Sequence, residues 1–185
     1  SMQGSCISNL DVGSATLKLN EDGGYNLLIG AADMGTGCDT ILAQMAAECM
    51  DCSVDDIAVF GADTDASPYD SGSYASSTTY ITGKAVEKAC ADLKKKICEI
   101  AAQMMNCVKD DVAFESSRVR CISTGQTVSL SDIAYKTQLA SNSNAEATAS
   151  HFSPVSPPPY MVGMAEIELD KLTGEVKVHD FMAVV

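Results

Sequence analysis

Residues 30–40 read GAADMGTGCDT, and the elements on either side of them decide what this chain folds into. An apolar strand pattern runs into the stretch, Gly30, Gly35 and Gly37 stand inside it, and an amphipathic helix pattern leaves it. Glycine admits positive φ and lets a ligand come close to the main chain. A helix that starts directly behind such a turn presents unpaired N–H groups, and the positive end of its dipole, to whatever lies in the loop. An anion, above all a phosphate, is the guest this arrangement takes.

Working outward, residues 14–20 (SATLKLN) and 25–31 (YNLLIGA) alternate apolar with polar around the turn EDGG, which predicts a β-hairpin. Ile41, Leu42, Met45, Ala46 and Cys49 then recur at helical spacing, so a first helix is expected over residues 40–50. Ser53 with Asp56 predicts a short helical turn, and residues 57–61 (IAVFG) read as a buried strand. Residues 63–73 (DTDASPYDSGS) are turn chemistry throughout. A second, longer helix follows, with Ile81, Ala85, Val86, Ala89, Leu93, Ile97, Ile100, Ala101 and Met104 on one face. Ser76, Ser77, Thr78 and Thr79 stand at its start as cap-type hydroxyl residues.

Beyond Cys107 the pattern shortens. Residues 112–115 and 118–122 predict strands joined at Ser116 and Ser117, with a third at 126–128, and Ser129 or Ser131 caps a brief helix through Ile133 and Tyr135. Residues 141–150 (SNSNAEATAS) and 151–159 (HFSPVSPPP) read together as a loop of little core content. Residues 161–170 and 175–185 predict a closing hairpin around DKLTGE. The expected fold class is α+β: antiparallel hairpins, two main helices packed on a mixed sheet, and a terminal β-hairpin.

Composition narrows the function. With 46% hydrophobic and 20% charged residues the chain has the make-up of a soluble globular protein. A formal charge of -13 argues against nucleic acid as a partner, although backbone amides can still hold an anion locally. No apolar run approaches the roughly 18 residues of a membrane span, and the N-terminus has no signal-peptide pattern. Eight cysteines, at 6, 38, 49, 52, 90, 98, 107 and 121, read as small buried hydrophobes of a reducing, cytoplasmic setting. Cys49 and Cys52 form a CxxC, but no second pair at similar spacing completes a zinc site.

Three groups of residues bear on chemistry. The two helix starts, at Gly35, Thr36 and Gly37 and at Ala75, Ser76, Ser77 and Thr78, both follow strands expected in one sheet, so they face one crevice able to hold a phosphate or pyrophosphate. Asp63, Asp65 and Asp70 resemble a calcium loop, without its glycine at the sixth position or its acid at the twelfth. His151 and His179 stand without a nucleophile arrangement, and there is no Walker loop or Gly-x-Ser-x-Gly elbow.

Taken in order, DMGTGCDT, GADTDASPYDSG, YASSTTYITGKAV and AEIELDKLTGEVKV resemble the molybdopterin-binding domain of the xanthine dehydrogenase and aldehyde oxidase family of molybdenum hydroxylases. The resemblance runs from about Gly4 to the C-terminus. It implies a molybdenum centre carried by a pterin dithiolene, in bacteria usually as the cytosine dinucleotide. By position, Met34, Gly35, Thr36, Gly37, Cys38, Asp39 and Thr40 contact this cofactor from the first helix, and Ala75, Ser76, Ser77 and Thr78 from the second, with no metal ligand among them. Thr36 stands where the family commonly has glutamine, and Ser77 where bacterial relatives often have arginine.

The resemblance also implies hydroxylation of a purine, an aldehyde or an N-heterocycle with water as oxygen source, aided by a glutamate of a Gly-x-Gly-Glu motif. That motif does not occur in these 185 residues, so none of the catalytic residues is expected here. The chain is expected to be a segment of a larger molybdenum subunit, inactive alone. The 2Fe-2S clusters and FAD of the family lie on other domains or subunits, since no cysteine here has cluster spacing. Within the segment, 1–150 is expected as the cofactor-binding region, and 151–185 as a Pro-rich loop and hairpin completing the same domain. Two alternatives stand beside this reading: a non-catalytic binding or assembly module that keeps the fold, and a metal-dependent acidic-loop protein.

Overall fold

The structure is a computed structural model, which describes residues 3–141 and 144–184. Its scaffold is a four-stranded sheet. The expected hairpin forms β1 (Val12–Leu19) and β2 (Tyr25–Ile29), paired antiparallel with Leu17 opposite Leu27. After α1 (Cys38–Met50) and a 3-10 turn capped by Ser53, β3 (Ile57–Gly61) pairs parallel to β2. The long α2 (Thr78–Met105) follows. A small antiparallel sheet of β4 (Val112–Glu115), β5 (Arg118–Cys121) and β6 (Thr127–Ser129) then leads into α3 (Leu130–Ser141). Of the two proposed caps Ser129 is used, its Oγ accepting from Asp132 N at 3.1 Å.

β7 (Glu146–Phe152) returns to pair with β1, giving the order β3-β2-β1-β7. This corrects the expectation of an unbroken loop over residues 141–159; Asn142 and Ser143 of that stretch lie outside the described residues. β7 escapes detection because the position it buries, Ala147, and the half-buried Ala149 carry only a methyl group. Its outer face is held by hydroxyls: Ser150 meets Ser14 at 2.8 Å and Thr148 meets Thr16 at 2.7 Å, across directly paired positions. Cross-strand hydroxyl pairs of this kind stabilise a sheet without apolar signal. A second correction concerns β3, where only Ile57 is buried and Phe60 is 52% exposed. β3 is an edge strand, and the helices cover one face of the sheet only.

That covered face makes the core. Ala15, Leu17, Leu19, Leu27 and Ile29 point from the sheet into Leu42, Ala46 and Met50 of α1 and Ala85, Ala89, Leu93 and Ile97 of α2. The helical face read from the sequence matches the buried set, with Ile100 and Met104 partly covered. Close approach depends on glycine. A Cβ on Gly13 of β1 would stand 2.5 Å from Thr82 Oγ1 and 2.9 Å from the Thr82 main chain, so α2 lies directly on the strand there. Residues 162–184 extend past this body as β8 (Val162–Leu169) and β9 (Val176–Val184), the expected terminal hairpin.

Candidate functional site

Because β2 and β3 are adjacent and parallel, the chain leaves both at the same end of the sheet, the position at which α/β folds open a crevice. α1 begins after the first exit and α2 after the second. Their relative setting follows from three contacts. Gly83 packs against Met45, whose Sδ lies 2.7 Å from where a Cβ on Gly83 would be; the Cys90 thiol lies near enough to that of Cys49 to affect it; and the charge of Lys94 reaches Cys52. Partners rise together along both helices, so α1 and α2 run parallel with their first turns side by side.

Neither first turn is satisfied from within. The first intrahelical bonds are Ile41 N to Gly37 O at 3.0 Å and Ile81 N to Ser77 O at 2.8 Å, and neither helix has a side-chain cap. Among the described residues, the amides of Cys38 and Thr40 on α1 and of Thr78, Thr79 and Tyr80 on α2 hydrogen-bond to no acceptor. Two positive helix ends therefore stand together with free donors, a ready anion site.

The absence of a hydroxyl cap on α2 corrects the expectation for residues 76–79. Ala75 and Ser76 lie in the left-handed region, at φ 52° and 57°, and Ser77 already has helical angles, whereas a side-chain cap needs an extended residue at that position. The hydroxyls go elsewhere: Ser76 Oγ accepts from Gln3 Nε2 at 3.3 Å, and Thr78 Oγ1 donates to Ser73 Oγ at 2.9 Å. Two successive non-glycine residues at positive φ store strain in the segment that delivers the helix start. Ser77 is buried, while Ala75 and Ser76 are exposed.

In front of α1, Gly35 (φ 92°) and Gly37 (φ 74°) hold the turn, and a Cβ on either would meet nothing within 4 Å. The space over this main chain is open to a ligand. Met34, Gly35, Thr36 and Thr40 are exposed, Gly37 and Asp39 half-buried and Cys38 buried. Gly30 plays a different part: a Cβ there would strike Pro68 O and Asp70, so its lack of a side chain seats the 63–73 loop against the strand end.

One residue that decides the loop went unremarked in the sequence. Asp33 Oδ1 accepts from Gly35 N at 2.8 Å and Gly37 N at 3.1 Å, bonds that hold its carboxyl below the ordinary range. An aspartate two and four residues before two glycines is the signal that identifies it. Asp33, Cys38 and Asp39 bring ligand atoms within 4.8 Å of one another. Burial, then the Asp39 and Asp33 charges, push the Cys38 thiol up to about 11, so it stays protonated at neutral pH and offers no thiolate.

The acidic loop does not converge. Asp63 accepts from Asp65 N at 2.9 Å, and Asp70 accepts from Gly72 N and from Thr82 Oγ1, both at 2.9 Å, so these carboxylates build turns and tie the loop to α2. His151 is not isolated: Lys88 Nζ lies 3.0 Å from its Nδ1, and Tyr80 meets the ring edge-on at 6.1 Å. His179 contacts Glu168 at 3.0 Å on the terminal hairpin. All eight cysteines are free. Among the described residues, no helix is long and apolar enough to cross a membrane.

Sheet, paired helix starts and open glycine turn together form an arrangement able to take an anion on backbone amides. The whole chain, residues 1–185, matches the molybdopterin cofactor-binding domain, and the chain belongs to that family. It is 35% identical over 183 residues to the Escherichia coli (strain K12) protein named "Probable hypoxanthine oxidase XdhD", an alignment covering 98% of this chain and 19% of the relative. It is 38% identical over 98 residues to the xanthine dehydrogenase molybdenum-binding subunit of Escherichia coli O157:H7, covering 52% of this chain and 13% of that one. Carbon monoxide dehydrogenase from Oligotropha carboxidovorans shares the fold, with TM-score 0.87 and 24% identity over 99% of this chain and 24% of that chain. The chain thus spans about a fifth of the length of its first relative.

Proposed function

We propose that this chain is the part of a xanthine dehydrogenase-like molybdenum hydroxylase that grips the phosphate end of molybdopterin. The observation that carries the reading is the pair of uncapped, parallel helix starts facing an open Gly35–Gly37 turn. Met34, Gly35, Thr36, Gly37, Cys38, Asp39 and Thr40 form one wall of the cradle, and Ala75, Ser76, Ser77 and Thr78 the other. Free amides on both walls suit a pyrophosphate better than a single phosphate, which supports the cytosine dinucleotide form. When bound, the cofactor supplies the metal for two-electron oxidation with water-derived oxygen. The residues of this chain bind and orient it, and contribute no metal ligand.

The names of the relatives support a purine or another N-heterocycle as the substrate, with aldehydes as a further class. The 2Fe-2S and FAD partners and the catalytic glutamate belong to other regions of a longer, cytoplasmic enzyme, so the 185 residues alone turn over no substrate. The test is metal and pterin content of the polypeptide expressed from the whole reading frame. Molybdenum and pterin near one per chain are expected, with both lost in Gly35→Val, where a branched side chain is strained at φ 92° and fills the space above the turn. A folded Gly35→Val protein with a full cofactor complement overturns the site. A folded wild type without pterin favours the alternative, a binding module that keeps the fold, for which the departures at Thr36 and Ser77 speak.

A further inference from the structure

The terminal hairpin carries an apolar face that nothing in the described structure covers. Pairing runs from Val162 opposite Val184 to Leu169 opposite Val176, but the register shifts at Glu166 and Ile167, which pair with Asp180 and Val178. His179 is therefore an extra residue, a β-bulge that reverses which side of β9 faces which way. Followed through the bulge, one face holds Gly163, Ala183, Ala165, Phe181, Ile167, Val178, Leu169 and Val176, without a charge. The other face bears Glu166, Asp180, Glu168, Lys177 and His179 over its distal half. Two contacts agree with this assignment: the Gly163 Cβ position lies 3.6 Å from the Phe181 ring, and His179 meets Glu168 at 3.0 Å.

All residues of both strands are exposed, Phe181 at 64% and Val178 at 60%, and no other described strand pairs with either. An isolated two-stranded ribbon is marginal in water, and an uncharged face with two open edges invites a partner. A second copy is a poor fit. At about 3.3 Å per residue and 4.8 Å per strand, the face measures roughly 260 Å². Even doubled for side-chain relief it falls short of the ~800 Å² per partner of a stable complex. A surface tethered to the same polypeptide escapes the association cost and can be this small.

We infer that the apolar face of β8 and β9 docks on an uncharged, apolar surface of another region of the same, longer polypeptide, leaving the Glu166–Lys177 side toward solvent. This rests on the reading of the chain as one region of a larger subunit and not on its cofactor. Hydroxyl-radical footprinting of the cofactor-free polypeptide from the whole reading frame tests it. Ile167, Leu169 and Phe181 should react severalfold more slowly, relative to their intrinsic rates, than Leu172, which is 97% exposed at the turn. The protection should survive dilution, and Phe181→Asp should abolish it at Ile167 and Val178 while the buried residues of α1 and α2 stay protected. Reactivity equal to that of Leu172 overturns the proposal. So does protection lost on dilution, which assigns the face to a second copy, or a reading frame that ends with these residues.

Discussion

Asp33 is the residue on which the loop depends, and its effect has a defined pH window. Its folded pKa lies below the ordinary carboxylate value, chiefly through the Gly35 and Gly37 amides. The ordered turn is therefore fully present above the ordinary value and is lost as pH falls through the depressed one. Hydrogen exchange at Gly35 and Gly37 should stay slow at neutral pH and accelerate in acid, and Asp33→Ala should be fast at every pH; indifference of both amides to the substitution would refute this role. His151 has the same sign for a different cause. Burial, then Lys88 and Lys84, lower its pKa, so the fold favours the neutral ring. Stability should decline as pH drops below the ordinary histidine value, and His151→Asn should flatten that decline in thermal melts taken across the range. At this scale the sequence was partly legible. Gly35 and Gly37 announce a positive-φ turn by identity, whereas the strained pair Ala75 and Ser76 has no compositional mark and is visible only in the backbone.

The elements were readable wherever the side chains that pack them are large. The first hairpin and both main helices repeat Leu, Ile and Val at the period of their structure, and α1 begins at Cys38, two residues ahead of the expected start. β7 was not readable, since its inward positions are alanines and its cohesion comes from hydroxyl pairs at 2.7 and 2.8 Å. The parallel setting of α1 and α2 was equally hidden, because it shows only in which residues meet across the two helices, such as Gly83 and Met45, and not in the period of either one. Two substitutions test the packing. Gly13→Ala should destabilise the protein by about 1–3 kcal/mol in chemical denaturation, as overpacking against a helix main chain does. Leu93→Ala, at a fully buried position of α2, should cost about 2–5 kcal/mol. A neutral Gly13→Ala would mean that α2 does not lie on β1 as described.

For the whole molecule, the account is a two-layer domain whose sheet order places two helix starts side by side at one crevice, with an uncovered ribbon at the far end of the chain. The crevice follows from topology: parallel β2 and β3 send the chain out at one edge, and α1 and α2 return from it in parallel. The family resemblance named the guest, but the reason these amides are free is physical, since neither helix caps itself. Thr40→Glu puts that reason to the most direct test. A glutamate in the first turn of a helix stabilises it by about 0.3–1 kcal/mol through the dipole, while the same charge repels an anion held on the neighbouring amides. In the polypeptide from the whole reading frame, the account predicts a melting temperature equal to or above that of the wild type together with a severalfold loss of bound pterin. A full pterin complement in a Thr40→Glu protein of undiminished stability would contradict it.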